Sequence, residues 1–218
     1  MTVCCVCIIY KAEHSAVRRL YNSLVTQVDE FIIVSNDEAD NEDILSDFPC
    51  TIIRMGYNSG IAKAQNVGIK KALSRGHDFV LMTDQDTTYP PHYVDEMVMC
   101  LEQNQAYAAA APEVYDINKK SLQGFYLKTD YRFRRQATDL IAPIFQANAS
   151  GLLIKANCFQ EIGLMNEDLF IDWVDFEWCW RLNKNHRTLI GIPHIVIDHK
   201  LGDDTKNIGK LLVATRSN

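Results

Sequence analysis

The chain has 218 residues, 47% hydrophobic and 23% charged, which is enough apolar material to bury a core and a length suited to one domain. A net charge of -6 argues against a nucleic-acid binder, because neutralising phosphates takes clustered Lys and Arg, and the densest basic cluster, Arg132-Phe-Arg-Arg135, is short. No apolar run approaches the ~20 residues that cross a bilayer, and Val3 to Tyr10 lacks a basic leader and a cleavage site, so a cytoplasmic protein is expected.

Val3 to Tyr10 reads as a first strand, apolar on both faces. It holds Cys4 and Cys7 at C-x-x-C spacing, but alternation along a strand points positions three apart in opposite directions. With seven cysteines scattered and no second pair, reduced core thiols are the expectation. A helix comes next, from about Ser15, its N-cap, to Val28, with Val17, Leu20, Leu24 and Val28 on one face. Glu30 to Ser35 is a second strand running into Asn36-Asp37-Glu38, and Thr51 to Arg54 a third. A helix over Ile61 to Ser74, closed by Gly76, leads to a fourth strand, Phe79 to Thr83. This alternation predicts a mainly parallel, doubly wound sheet with right-handed crossovers. Such a sheet puts the chain after Tyr10, after Ser35 and after Thr83 at one rim, where open α/β sheets bind ligands.

Asp84 and Asp86 stand at that rim, separated by Gln85. Their mutual repulsion falls if a divalent cation joins them, and Mg²⁺ or Mn²⁺ prefers carboxylate oxygens while bridging to substrate phosphates. Taken alone, the pair is better explained as a turn with two solvated acids, and the rest of the chain has to decide for the cation. Asp37 falls on the same side, where an acid accepts hydrogen bonds from a base or ribose, or simply forms an Asx turn. The segment Asn58-Ser-Gly-Ile-Ala-Lys-Ala-Gln-Asn-Val-Gly68 enters a helix with small residues at Gly60, Ala62, Ala64 and Gly68. These allow close approach by a ligand or by the sheet, and the segment matches neither a P-loop nor a dinucleotide fingerprint.

Beyond Pro90-Pro91 a helix to about Gln103 and a strand over Ala106 to Ala111 are expected. Residues 116–142 carry Phe125, Tyr126, Tyr131, Phe133 and the basic cluster, and read as an irregular insertion or hairpin. In the run from Ile144 to Lys155, Gly151 marks close approach by another group. On a helix starting near Val174, Asp175 lies in the first turn and Glu177 pairs with Arg181 at i,i+4. An acid walled by Trp and Phe acquires a raised, base-like pKa, and a capped amphipathic helix is the competing account. A last strand from Val196 ends at His199, which is either a further ligand for a Mn²⁺-type ion or a structural imidazole.

Taken together, VCCVCIIY, the SND after strand two, NSGIAKAQNVG, LMTDQDTTYP, Ala149-Ser-Gly151, LFIDWVDFEWCWR and the late H-K-L-G-D resemble the inverting glycosyltransferases of family 2. The D-Q-D with a following hydroxyl and F-I-D-x-V-D-x-E-W are most similar to the bacterial rhamnosyltransferase subgroup. The resemblance implies a three-layer αβα nucleotide-diphospho-sugar transferase fold, A-type, with a mainly parallel central sheet. It implies one glycosyltransferase domain over 1–218, with residues 1–90 as the nucleotide-sugar half and 91–218 as the acceptor and catalytic half, and relatives that continue into a C-terminal extension. Asp37 matches the nucleoside-binding acid, Asn58 and Asn66 the nucleotide-pocket segment, and Asp84 and Asp86 the diphosphate-and-metal pair, with Asp86 the direct ligand. Asp175 matches the catalytic base and His199 the late histidine near the metal.

The activity implied by this resemblance is a Mg²⁺- or Mn²⁺-dependent transfer of a sugar, L-rhamnose from dTDP-L-rhamnose, to a surface polysaccharide such as O-antigen or a lipid-linked saccharide. The membrane would be touched at most peripherally, at its inner face. Residues 10–12 depart from the subgroup, reading Y-K-A in place of Y-N-P, as does S-N-D-E in place of D-N-x-S, which leaves the base-contacting residue open. A family 2 enzyme using a UDP-sugar and a non-catalytic nucleotide-sugar-binding module are the alternatives. A nucleotidyltransferase would need a Gly- and Arg-rich loop after strand one, where Tyr10-Lys-Ala-Glu13 stands.

Overall fold

The structure, a computed structural model, describes residues 1–38, 45–128, 135–199, 205–208 and 211–214. The basic and aromatic residues 131–134 and the late motif beyond His199 therefore lie outside the described residues. Four strands form the first half of a central sheet: β1 (Val3–Ile9), β2 (Glu30–Ser35), β3 (Thr51–Arg54) and β4 (Phe79–Asp84). Three helices accompany them: α1 (His14–Leu24), α2 (Ile61–Ser74) and α3 (Tyr93–Glu102). The second half contributes β5 (Tyr107–Asp116), the short β6 (Ser121–Leu122), β7 (Phe125–Tyr126), β8 (Arg135–Gln136) and β9 (Ala142–Pro143), then β10 (Leu152–Lys155) and β11 (Thr188–His199). Its helices are α4 (Cys158–Ile162) and α5 (Val174–Lys184). The backbone of Thr205–Ile208 pairs antiparallel with that of Leu211–Ala214.

The sheet runs β3-β2-β1-β4-β10-β5-β11-β9, with β6 beside β5. Strands β1 to β4 are mutually parallel, and so are β5 and β11; β10 and β9 run antiparallel. The register sets Ile8 of β1 beside Asp84 and Ile9 beside Ser35, so the ends of β1, β2 and β4 share one rim as the alternation predicts.

Both faces are covered, which is why β1 is apolar throughout. On one face Cys4, Val6 and Ile8 pack with Ala64 and Ile69 of α2 and Trp178 of α5. On the other, Cys5, Cys7 and Ile9 pack with Leu20 of α1 and Met97 of α3. Cys4 and Cys7 thus point to opposite faces, and all seven cysteines are unbridged. Burying each such Leu or Ile side chain contributes roughly 1.5–3 kcal/mol, so the two layers together hold the rim in place.

Three expectations need correction. Helix α1 starts at His14, with Glu13 at the N-cap position and Ser15 inside the helix, and it stops at Leu24. Val25 and Thr26 are β-branched and extend a helix poorly, and the Gln27 amide is engaged by the carbonyls of Ser23 and Pro90. Strand β5 continues past Pro112 to Asp116. Strand β11 begins eight residues before Val196 at Thr188, its register breaking between Ile192 and Val196. Pro193 lies in that break; a proline has no N–H for the ladder and is accommodated at an irregularity.

Candidate active site

A cleft of about 600 Å³ opens at the carboxyl rim, lined by residues from the ends of β1, β2, β4 and β11 and the starts of α2 and α5. Asp84, Asp86, Asp175, Asn58 and His199 all line it. These residues are far apart in the chain yet share one cavity, because the parallel register brings the strand ends level. None of the described residues lining it is Lys or Arg.

Asp84 ends β4, and its Oδ2 accepts a hydrogen bond from the Ser150 hydroxyl in the turn before β10. Asp86 Oδ1 stands 3.4 Å from Nδ1 of His199. That imidazole is held at the rim by an antiparallel bridge between Thr88 and Asp198 and by the Thr87 hydroxyl, 3.1 Å from the same nitrogen. Asp86 and His199 offer a ligand pair. Two protein groups completed by phosphate oxygens and water is the usual arrangement for Mg²⁺ and suits Mn²⁺ as well.

Asp175 occupies the first turn of α5. Its Oδ2 accepts from the Ala149 N–H at 3.0 Å and its Oδ1 from the Phe176 N–H at 2.9 Å. Burial pushes its carboxyl up to about 6; the two backbone N–H groups pull it down, and the charge of Asp84 adds to the rise. A carboxylate of that affinity is poised to take a proton near neutral pH. The residue before the helix, Trp173, has φ 68° and is 58% exposed at the cleft wall, with its ring beside that of Phe176. A bulky side chain in the left-handed region is a strained choice of the kind that clusters at functional sites.

Asp37 and Asn66 are buried and form no part of the cleft lining. Asp37 is buried outside the cleft lining, with its Oδ2 accepting from the Lys11 N–H at 3.0 Å. It thereby holds the loop after β1, where Lys11 has φ 45°. Its neighbour Asn36 reaches the cleft instead, and Asn36 Oδ1 accepts from both the N–H and the hydroxyl of Ser59. Asn58 Oδ1 accepts from the Gly60 N–H and fixes the turn into α2. Asn66 lies outside the lining, and its amide is used inside the fold. Nδ2 donates to the Met165 carbonyl and to Glu167, and Oδ1 accepts from the Met165 N–H. This Asn inside a helix is a clamp between α2 and the chain before α5.

The small residues resolve in favour of packing. A Cβ on Gly68 would lie 2.3 Å from Val6 of β1, and one on Gly60 would meet Phe170. Gly151, at φ +83°, is closed in by Pro112, Tyr93 and Ile197. Gln85 carries a role that its position between two acids does not signal. Its Oε1 accepts from the Tyr10 N–H and its Nε2 donates to the Tyr10 carbonyl, tying the β1 loop to the acid pair. Ser150, Gln85 and Trp173 all stand in motifs that carry the resemblance, in Ala149-Ser-Gly151, D-Q-D and LFIDWVDFEWCWR, but the motifs do not signal these particular contacts.

Among the described residues one further group could gather around an ion: Cys4, Glu30 and His77, at the opposite rim. Glu30 is already engaged there by Thr51, Arg75 and His77. Burial pushes the Cys4 thiol up to about 12, away from the thiolate that binds metals. That group is a closed polar network.

A family model described as glycosyl transferase family 2 matches residues 5–157. The dTDP-rhamnosyl transferase RfbF of Shigella flexneri is 31% identical over 199 residues, 86% of this chain and 66% of that protein. The low-salt glycan biosynthesis hexosyltransferase Agl10 of Haloferax volcanii is 23% identical over 189 residues, 81% of this chain and 60% of that one. The chain thus spans just under two thirds of the length of these relatives. Among solved structures, GalNAc-T7 with UDP, GalNAc and Mn²⁺ gives a TM-score of 0.72 at 14% identity, covering 91% of this chain and 44% of the other. S. aureus TarS 1-349 in complex with UDP gives 0.69 at 16% identity, covering 93% and 61%. Likeness at these identities shows the fold, the A-type glycosyltransferase architecture. With the family match over most of its length, the chain belongs to glycosyl transferase family 2.

Proposed function

We propose that this chain carries the catalytic machinery of a metal-dependent inverting glycosyltransferase that moves L-rhamnose from dTDP-L-rhamnose to a hydroxyl of a growing surface polysaccharide or lipid-linked saccharide. The observation that carries the reading is the gathering of Asp84, Asp86 and Asp175 in one cleft whose described lining has no Lys or Arg. A diphosphate entering such a cleft is repelled unless a divalent cation comes with it, and Asp86 with His199 is the pair that would hold one. When bound, that cation supplies Lewis-acid stabilisation of the charge that builds on the leaving diphosphate.

The chain's own residues divide the remaining work. Residues 1–90 bind the nucleotide: Asn58 and Asn36 line the nucleoside end, while Asp37 and Gln85 hold the β1 loop in shape around it. Residues 91–218 take the acceptor. Asp175 removes the proton from the acceptor hydroxyl as its oxygen attacks the anomeric carbon from the face opposite the diphosphate. One bond forms as one breaks, the configuration inverts, and no covalent enzyme intermediate is needed. The sugar and the base rest on the likeness to the Shigella dTDP-rhamnosyl transferase.

The test is calorimetry of the chain with dTDP and with UDP, each with and without Mn²⁺, and then transfer from dTDP-L-rhamnose to a lipid-linked saccharide. Metal-dependent dTDP binding with product formation is the expected result. Tighter binding of UDP would redirect the donor to a UDP-sugar. Binding without turnover would leave a nucleotide-sugar-binding module, and no binding of either nucleotide would reject the site.

A further inference from the structure

Two consecutive amides on α2, Gln65 and Asn66, are almost equally buried, at 3% and 2% exposure. Asn66 uses both ends of its amide, in three hydrogen bonds to Met165 and Glu167. Gln65 is the opposite case: its side-chain carbonyl is buried with no hydrogen-bond donor facing it, and the residue forms part of the cleft wall. Buried polar atoms in native proteins are almost always paired, so an orphan beside a binding cleft calls for an explanation. Core packing does not supply one, because an apolar side chain of the same length would fill the space without leaving a carbonyl unpaired.

The position of Gln65 says which part of a ligand it serves. Helix α2 packs on β1 and β2, and Gly68, one turn further along, fits against Val6 of β1 and Val34 of β2. Gln65 lies one turn after Ile61 at the start of the helix, on the segment whose Asn58 accepts a hydrogen bond from Asn36 after β2, and Asn36, Asn58 and Ile61 line the cleft with it. We infer that Gln65 is a donor-contacting residue whose amide turns into the cleft to accept a hydrogen bond from the nucleoside moiety, through a base N–H or a sugar hydroxyl. The inference rests on the nucleotide-sugar reading of the cleft and adds to it a residue that recognises the nucleoside independently of the metal end. It also gives the orphan carbonyl a use: unpaired in the free protein, it is paired when nucleotide binds.

The test compares wild type with Gln65→Leu and, as a second packing choice, Gln65→Met. Each is titrated by calorimetry with dTDP plus Mn²⁺ and with pyrophosphate plus Mn²⁺, and melted without nucleotide. Loss of one neutral hydrogen bond is expected to weaken dTDP binding about 3- to 10-fold, with pyrophosphate affinity unchanged. Because the free protein loses an unpaired polar atom, the Tm without nucleotide should stay level or rise by a few degrees. An equal loss with the abasic 2-deoxyribose 5-diphosphate assigns the contact to the sugar; a loss confined to dTDP assigns it to the base. Unchanged dTDP affinity in both variants, or a parallel loss of pyrophosphate affinity, overturns the inference while leaving the donor site intact. Wild-type protein that binds neither dTDP nor UDP overturns the reading beneath it.

Discussion

The two rims of one sheet treat their acids in opposite ways. At the amino rim Glu30 is met by Arg75 at 2.5 Å, His77 at 2.9 Å and Thr51 at 2.9 Å. Burial alone would raise its carboxyl, but the bonds from His77 and Thr51 and the charge of Arg75 outweigh burial and bring it below its ordinary value. At the carboxyl rim Asp175 accepts from backbone N–H groups, has a second acid nearby, and has its carboxyl pushed up by burial to about 6. The first arrangement stabilises the fold and leaves nothing for a ligand to do. The second keeps charge uncompensated at neutral pH, which is unfavourable for the free protein and useful when a substrate brings the missing proton or cation.

The sharpest way to break this comparison is Asp175→Asn. Removing a positioned base should lower transfer about 10²- to 10⁴-fold, while calorimetric donor affinity stays near wild type. Transfer by the wild-type chain should rise with pH through about 6 as Asp175 ionises, and a flat profile across that range would count against it as the base. Stability should not suffer. A carboxyl raised to about 6 makes the ionised folded form unfavourable, on the order of 3 kcal/mol at neutral pH before the lost backbone bonds are set against it. A large fall in Tm would mean that Asp175 belongs with Glu30 as a structural acid.

Asp86→Ala should have a smaller effect and a different one. Affinity for dTDP in Mn²⁺ is expected to fall about 10- to 100-fold, a loss in the range seen for perturbed metal sites. Without metal, wild type and variant should bind alike. His199→Ala should produce the same pattern at reduced size. A variant that binds dTDP in Mn²⁺ as tightly as wild type would remove Asp86 from the ligand pair.

Much of this contrast is legible in the sequence, for definite reasons. Uninterrupted apolar runs such as Phe79–Met82, each ending in a turn, locate the parallel strands, and parallel strands put their carboxyl ends together. Asp37, Asp84 and Asp86 can therefore be assigned to one rim from their places after strands, while Asp175 and His199 join them only through the family resemblance. The direction of individual amides is not legible in that way. Asn66 and Gln65 sit side by side in NSGIAKAQNVG, and only the packing of α2 decides that one clamps the chain before α5 while the other faces the cleft. Gln85 is hidden for the same reason: its bonds to Tyr10 cross from β4 to β1, a contact 75 positions apart. The breaks at Val25 and Pro193 escape a periodic pattern, which runs on past residues whose backbone chemistry stops it.

The smallest expected effect on activity comes from Glu30→Ala, and it tests the comparison from the other side. The substitution leaves Arg75 and His77 without their acid in a part-buried setting, so a stability loss of about 2 kcal/mol is expected, or roughly 4–8 °C in Tm. Donor affinity and transfer, measured well below the melt, should match wild type. The pH dependence of the two rims should also run in opposite directions. Glu30 has a lowered carboxyl, so its contribution is present above the ordinary glutamate range and is lost as pH falls through its lower folded value. Asp175 has a raised one, so the folded chain binds more protons than the unfolded chain from about 4 to about 6. Its cost to stability grows as pH rises across that window and is constant above it. Melting curves from about pH 3 to about pH 8 should therefore show Glu30→Ala flattening the acid-side loss and Asp175→Asn flattening the decline toward neutral pH. If both substitutions flatten the same limb, the two rims do not differ in the way their hydrogen bonds imply, and the uncompensated acid at the cleft loses its claim to be functional.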